Sequence, residues 1–105
     1  QAAAAILVCG DLDRAFPPAP DFWVIDAAIA AQNMTLAAND LGIGSVWLGT
    51  WPDEKRVKRQ ATIFQLPETI VPHSILALGY PAEDIDMRAV RPSRYEENRV
   101  HVNQW

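Results

Sequence analysis

The chain alternates between short apolar runs and longer segments with a helical apolar period. Residues 4–9 are apolar throughout and stop at Gly10, which predicts a strand covered on both faces. Two further strands are predicted at 45–48 and 69–79, the latter centred on an Ile-Leu-Ala-Leu run. These three runs are the candidates for the sheet.

A helix is predicted at 21–40, with Asp21 as its cap and Gly42 in the left-handed position after its end. Its apolar residues cover most of its circumference. One group recurs at helical spacing and a second occupies other sectors: Ala30, Ala31, Met34, Ala37, Ala38 and Leu41, then Ile25, Ile29 and Leu36. One short domain lacks the material to bury such a helix on every side, so we expect part of it to pack against a second copy of the chain.

A second helix is predicted after Pro52, which suits a first helical turn. Val57, Ala61 and Phe64 follow at the spacing of one helix face, so this helix is expected to cover one face of the sheet. Its basic residues are assigned to the solvated side, where we interpret them as aiding solubility. The proline-rich segment 16–20 is predicted to be a rigid, non-helical connector.

The tail, residues 82–105, has no helical period and no apolar run large enough for a core. Only residues 100–103 alternate between apolar and polar positions, which predicts a strand with one apolar face. Because the tail has no core of its own, we expect it to extend over a partner subunit. At 105 residues the chain is interpreted as part of a single domain.

Composition and charge exclude several classes of protein. The chain is 50% hydrophobic and 21% charged, which is typical of a folded globular domain. Its net charge of −4 argues against a nucleic-acid-binding protein that neutralises phosphates. The bases are concentrated toward the end, where an anion would bind: Arg88, Arg91, Arg94 and Arg99.

Cys9 is the single cysteine, so neither an internal disulfide nor a structural zinc site is predicted. A reducing compartment, the cytoplasm, is the simplest interpretation. The longest apolar run, residues 2–9, is far shorter than the roughly 20 residues that cross a bilayer. No basic residue precedes it as in a signal peptide, so no membrane association is expected.

No side chain stands out as a catalytic group. The Gly-Ile-Gly sequence at 42–44 follows a helix and opens a strand, the reverse of a dinucleotide-binding loop. Ser45 lacks the nucleophile elbow that would let it act with His73 or His101. The carboxylates at 84 and 86 lie in a turn-like stretch without an apolar pocket to raise a pKa. We therefore predict no catalytic side chain and no metal site.

A site without catalytic side chains fits a redox cofactor, which carries its own chemistry and needs only orientation and hydrogen bonds. The corner formed by Trp47, Leu48, Gly49 and Thr50 suits that function. A strand end followed by glycine leaves backbone amides unpaired and lets a flat ligand approach closely. An ordinary strand-to-helix turn is the alternative.

Arg91 and Arg94 flank Pro92, which stiffens this part of the tail. Either guanidinium could hold a phosphate through two parallel hydrogen bonds. The alternative is that both arginines lie on the surface and pair with Glu96 and Glu97.

Five segments occur together in a particular order and spacing. They are Ala-Ala-Gln-Asn-Met at 30–34, Leu-Gly-Ile-Gly-Ser-Val-Trp-Leu-Gly at 41–49, Leu-Pro-Glu at 66–68, Leu-Gly-Tyr-Pro-Ala-Glu at 78–83 and Val-His-Val-Asn-Gln-Trp at 100–105. The second and fourth segments are the most specific. From about residue 4 to its end, the chain resembles the FMN-dependent nitroreductase family.

The resemblance implies an α+β homodimer, in which a nitroreductase-like mixed sheet is flanked by helices and dimerisation completes the partial domain. FMN would bind in two clefts at the subunit interface. The corner at 47–50 would lie along the flavin ring, with an amide near Gly49 or Thr50 directed at N5 and O4. Arg94, with Arg91 as the second candidate, would meet the FMN phosphate. The implied reaction is two-electron hydride transfer from NADH or NADPH to a nitroaromatic, quinone or similar small acceptor.

One family feature is missing from these 105 residues. Family members begin with an arginine-rich segment that grips the phosphate and ribityl chain, and Arg14 does not fit that pattern. We therefore expect the chain to be the C-terminal half of a nitroreductase-like protein, with a separate N-terminal polypeptide as one way to complete it. The alternative functions are a non-catalytic dimerisation or assembly fragment, and a relative with different flavin chemistry.

Overall fold

The computed structural model describes residues 2–83, 85–86, 89–90 and 92–105. Its three strands and two helices follow one another as β1 Ala4–Asp11, α1 Trp23–Asp40, β2 Gly44–Gly49, α2 Glu54–Ile63 and β3 Ile70–Gly79. Short 3-10 turns lie at Leu12–Arg14, Pro20–Phe22 and Glu97–Arg99. This arrangement confirms the α+β class and the predicted positions of the second and third strands.

The strands form an antiparallel sheet with the order β1-β3-β2, so the strand last in sequence lies at its centre. Val8 is paired with Ser74 and Cys9 with Pro72, which leaves His73 as an extra, bulged residue in β3. Proline has no amide hydrogen to give to a ladder, and inside sheets it is confined to edges and bulges. The bulge thus lets Pro72 lie within the central strand.

The core lies between α1 and one face of the sheet. Ala27 and Ala31 on the helix contact Val8 and Leu76 on the strands, and Trp23 closes the cluster at the start of α1. Small alanines let the helix backbone approach the sheet closely. The burial of Val8, Leu76 and Trp23 contributes hydrophobic stabilisation to this layer.

Helix α1 is buried on one face only, so the prediction of burial nearly all round is wrong for the isolated chain. Ile25, Ile29 and Leu36 lie on the face turned away from the sheet and are 53%, 55% and 59% exposed. The three-stranded sheet can cover only the side of α1 that it contacts. Packing of the exposed face against a second copy stays a prediction.

The two ends of α1 differ in how well they were predicted. Asp21 is not the cap: it lies in the preceding 3-10 turn, and Phe22 occupies the cap position without a side-chain hydrogen bond. The same turn includes Pro20, so the non-helical connector ends one residue earlier than predicted. Gly42 has φ of +72°, which confirms the left-handed position after the helix.

Strand β1 and the end of the tail both depart from their predictions. Residues 4–6 at the start of β1 are exposed, so coverage of both faces is wrong for that part. Residues 100–103 form no strand in the part of the chain that the structure describes, and Asn103 has a left-handed φ of 64°. An alternating pattern forms a strand only where a neighbouring strand accepts its hydrogen bonds.

Helix α2 packs against β3 as predicted, and its cap explains where it begins. The Asp53 side chain accepts hydrogen bonds from the amides of Lys55 and Arg56. Val57 and Ala61 are half-buried, whereas Phe64 lies just beyond the helix and is exposed. The helix therefore covers the sheet only with its middle turns.

Candidate functional site

The corner at the end of β2 directs the backbone amide of Gly49 away from the partner strand β3. Thr50 N–H donates to the His73 carbonyl at 3.1 Å, so residues 50 and 73 form a hydrogen-bonded antiparallel pair. Such pairs alternate along a ladder with pairs whose N–H and C=O groups point away from the partner strand. Gly49, which is opposite Ser74, is in the second class. Its N–H therefore points away from β3, on the free side of the edge strand β2.

Thr50 holds the corner in place and has no free amide. It is 1% exposed, and its hydroxyl donates to Gln60 Oε1 at 2.9 Å. Its carbonyl accepts the Asp53 amide at 3.0 Å, and Trp51 N–H shares the His73 carbonyl at 3.0 Å. Of the two amides considered from the sequence, the one at Gly49 is thus available to a ligand and the one at Thr50 is paired.

Arg56 is a residue of the corner that the sequence interpretation left among the solubility residues. Its Nη1 donates to the Gly49 carbonyl at 3.0 Å, and its Nε lies 3.3 Å from Asp53 Oδ2. Asp53 caps α2 through its other carboxylate oxygen. An acidic cap three residues before an arginine is a recognisable pattern, but only the fold brings the Gly49 carbonyl within reach.

An aromatic cluster of Trp23, Trp47, Trp51 and His73 lies behind the corner. The ring centroids of Trp23 and Trp51 are 5.1 Å apart in an edge-on arrangement, and His73 lies 6.1 Å from both Trp23 and Trp47. His73 is 8% exposed, and its Nδ1 is hydrogen-bonded to Ser74 Oγ at 3.1 Å. Burial lowers the pKa of His73 below its ordinary value, so the ring is held in its neutral form.

The depressed pKa of His73 predicts an acid-sensitive contribution to stability. The unfolded chain takes up a proton on this ring as the pH falls through about 6.5, before the folded chain does. The stabilisation is therefore complete above that pH and is lost as the pH falls toward the folded-state pKa.

Urea unfolding at a series of pH values should show a shallower acid decline for His73→Gln than for the unaltered chain. His101→Gln is the matched control, because His101 is exposed. Its ring contacts that of Trp105 in the tail, with the two ring centroids 4.6 Å apart. Equal slopes for the two variants would contradict the assignment.

The space beside Gly49 is open. A Cβ built on this residue would meet no atom within 4 Å, and the side chains of Trp47 and Leu48 are 37% and 49% exposed. A groove of about 880 Å³ lies at the opposite end of β2, beside Gly44 and Gly79. The open space at the corner is separate from that groove and lies beside Gly49.

Of the two arginines predicted to bind phosphate, the structure describes Arg94 only. Arg91 lies outside the described residues. Arg94 is exposed on the tail, and no hydrogen bond or ion pair joins it to the described residues. Glu96 pairs with Arg99 at 2.7 Å, so the alternative in which Glu96 pairs with Arg94 is not the contact seen.

The remaining candidates from the sequence form no second site. His73 is bonded to Ser74 rather than to Ser45, and position 84 is outside the described residues. Among residues that the structure describes, no cluster of His, Cys, Asp and Glu could hold a metal ion. In the same residues, no helix has the length and apolar character needed to span a membrane.

Comparison with known proteins gives one consistent result. A family model described as "Nitroreductase family" matches residues 1–80. A "Putative NADH dehydrogenase/NAD(P)H nitroreductase" from Methanothermobacter thermautotrophicus is 41% identical over 105 residues, which are 100% of this chain and 52% of the relative. The chain thus spans about half the length of this curated relative.

Solved structures agree with the sequence comparison. A protein of the same name from Bacteroides thetaiotaomicron is 38% identical with a TM-score of 0.84, and the match covers 100% of this chain and 57% of that one. An FMN-dependent nitroreductase from Clostridium difficile is 28% identical with a TM-score of 0.80, and the match covers 99% of this chain and 59% of that one.

Proposed function

Because the chain belongs to the nitroreductase family, we propose that it supplies the flavin-binding corner of an FMN-dependent NAD(P)H oxidoreductase. The proposed acceptors are nitroaromatics, quinones or similar small molecules. One observation carries the proposal: the outward amide of Gly49 lies beside open space at the end of β2. The family match and the FMN-dependent solved relative support it.

The residues of the corner fit a flat, acceptor-rich ring. The Gly49 N–H is a donor on the free side of β2, and the absence of a side chain leaves room for a ring against the backbone. Thr50 and Trp51 fix the peptide beyond it through the His73 carbonyl. A donor fixed in advance costs little reorganisation when charge develops on the ligand.

When bound, FMN would accept hydride from NAD(P)H and supply two electrons to the acceptor. The contribution of this chain is binding and orientation. Gly49 N–H would hold the N5 and O4 edge of the ring, Trp47 and Leu48 would lie along it, and Arg94 with Arg91 would meet the phosphate. No side chain is assigned to proton transfer.

The proposed complete site includes more polypeptide than these 105 residues. The match to the curated relative covers 52% of that protein, and the exposed apolar face of α1 is available to a second subunit. We propose a homodimer with FMN at the interface, completed by the arginine-rich segment in the same or a separate polypeptide. A cytoplasmic location is proposed from the single cysteine.

The test is a titration of FMN with the 105-residue chain, followed by flavin fluorescence. Trp47 and Trp51 lie at the corner, so a bound ring should be quenched by the neighbouring indoles. Saturable quenching would support the proposal, and colour loss on anaerobic addition of NADPH would support electron transfer. The proposal would be overturned if the flavin were not quenched either by the chain alone or by the chain mixed with the N-terminal half of the FMN-dependent nitroreductase from Clostridium difficile.

A second function, a non-catalytic dimerisation or assembly fragment, is favoured by one observation. The apolar face of α1 formed by Ile25, Ile29 and Leu36 is exposed in the isolated chain, and exposed apolar patches mark association surfaces. Sedimentation of the flavin-free chain separates the proposals. A stable dimer that never binds FMN supports the assembly function, whereas FMN binding excludes it.

A further inference from the structure

We infer that Arg56 is a positioning residue of the flavin corner, which makes the Gly49 edge selective for a ring carrying negative charge. The inference rests on the proposed function and adds to it a residue on α2. Arg56 donates from Nη1 to the Gly49 carbonyl at 3.0 Å.

The pairing of Gly49 with Ser74 fixes the direction of the Gly49 carbonyl. In a pair without ladder hydrogen bonds, the N–H and C=O of one residue point to the same side of the strand. The Gly49 carbonyl therefore lies on the same free side of β2 as its amide. Left alone, that oxygen would repel the acceptor atoms of any ring that the amide binds.

Arg56 changes how that oxygen acts toward a ligand. Its guanidinium occupies the carbonyl as a charged donor, and arginine has no acceptor of its own. The edge of β2 at Gly49 thus changes from one donor and one acceptor to a donor beside a positive charge. Such an edge binds a negatively charged ring more tightly than a neutral one.

The Arg56 side chain is held in this position by Asp53. Its Nε lies 3.3 Å from Asp53 Oδ2, and Asp53 is itself fixed by the amides of Lys55 and Arg56 at the start of α2. The Arg56 side chain is 64% exposed, so water screens its charge. The expected effect is therefore modest, about fivefold in relative affinity.

The experiment compares the dissociation constants of oxidised and anaerobically reduced FMN, because reduction adds negative charge to the ring. Arg56→Met should weaken the reduced form about fivefold more than the oxidised form, relative to the unaltered chain. Arg59→Met is the matched control, since Arg59 is an exposed base on the same helix with no ion pair among the described residues. It should leave the ratio unchanged.

A second readout needs no flavin. Glycine labelled with ¹³C at the carbonyl gives one signal for each of the 5 glycines. The Gly49 signal should move in Arg56→Met and stay in place in Arg59→Met, because only the first removes its hydrogen bond. An unmoved signal would overturn the inference.

The outcomes separate this inference from the proposed function. If neither form of FMN binds, both to the unaltered chain alone and in the presence of the N-terminal half of the Clostridium difficile relative, the proposed function is removed, and the flavin role of Arg56 with it. A chain that binds FMN with the same affinity ratio in both variants overturns the role of Arg56 alone. Arg56→Lys, which retains the charge, should keep most of the ratio if the charge is what acts.

Discussion

Replacing Gly49 with alanine is expected to weaken FMN binding by about 100-fold while leaving the free energy of unfolding unchanged or slightly raised. The added methyl group would occupy the space that the flavin ring needs. A steric conflict of this size costs about 2–3 kcal/mol. The folded chain itself should accept alanine, because nothing lies within 4 Å of the new Cβ and Gly49 has no positive φ.

Flavin fluorescence titration and urea unfolding, run on the same preparations, measure the two halves of this prediction. Gly44→Ala is the matched control at the other end of the same strand. Its Cβ would lie 3.2 Å from the Gly79 carbonyl oxygen, so it should perturb stability slightly and leave FMN binding intact. Unchanged FMN affinity in Gly49→Ala would place the flavin somewhere else and remove the main support for the site.

Replacing Gly10 with alanine is expected to destabilise the chain by about 2–3 kcal/mol. A Cβ at this position would lie 2.8 Å from Trp23 Cδ2 and closer still to Cε3, so the indole must move. Trp23 packs edge-on against Trp51 and His73, and its displacement disturbs the cluster behind the corner. Globular domains are stable by only about 5–15 kcal/mol, so this is a large loss.

Urea unfolding followed by tryptophan fluorescence measures the effect. Gly49→Ala serves again as the control, since it is the same substitution in a strand without a steric conflict. The double variant Gly10→Ala with Trp23→Leu should be less destabilised than the sum of the two single variants, because the smaller side chain relieves the overlap. Additive effects would show that Trp23 is not what the methyl group meets.

The contact between Arg56 and Gly49 shows that residue spacing can predict a turn but not the hydrogen bonds that hold it. Spacing predicted a helix after Pro52 and grouped the bases of α2 on a solvated side. The placement of Pro52 in the first turn was wrong, because Asp53 is the cap and Pro52 precedes it. Only the pairing of β2 with β3 turns the Gly49 carbonyl toward Arg56. Hydrogen bonds between residues on different elements depend on how the elements meet, which a local pattern does not contain.

The bulge at His73 shows that the same limit applies to the register of the sheet. The third strand was predicted from its apolar run, and Pro72 lies within it. The register with β1 decides that His73 is the extra residue, and its carbonyl then accepts both Thr50 and Trp51 amides. Register depends on two strands at once, so neither run alone specifies it.

The amino-acid sequence by itself determined the strands β2 and β3, the left-handed Gly42 after α1, the α+β class and the family, because each depends on local spacing or on segments in a fixed order. The tertiary structure alone decided which amide of the corner is available and which face of α1 is exposed. It also decided that the end of the tail forms no strand. Those properties depend on the partner that each backbone group or side chain meets, and partners are distant in sequence.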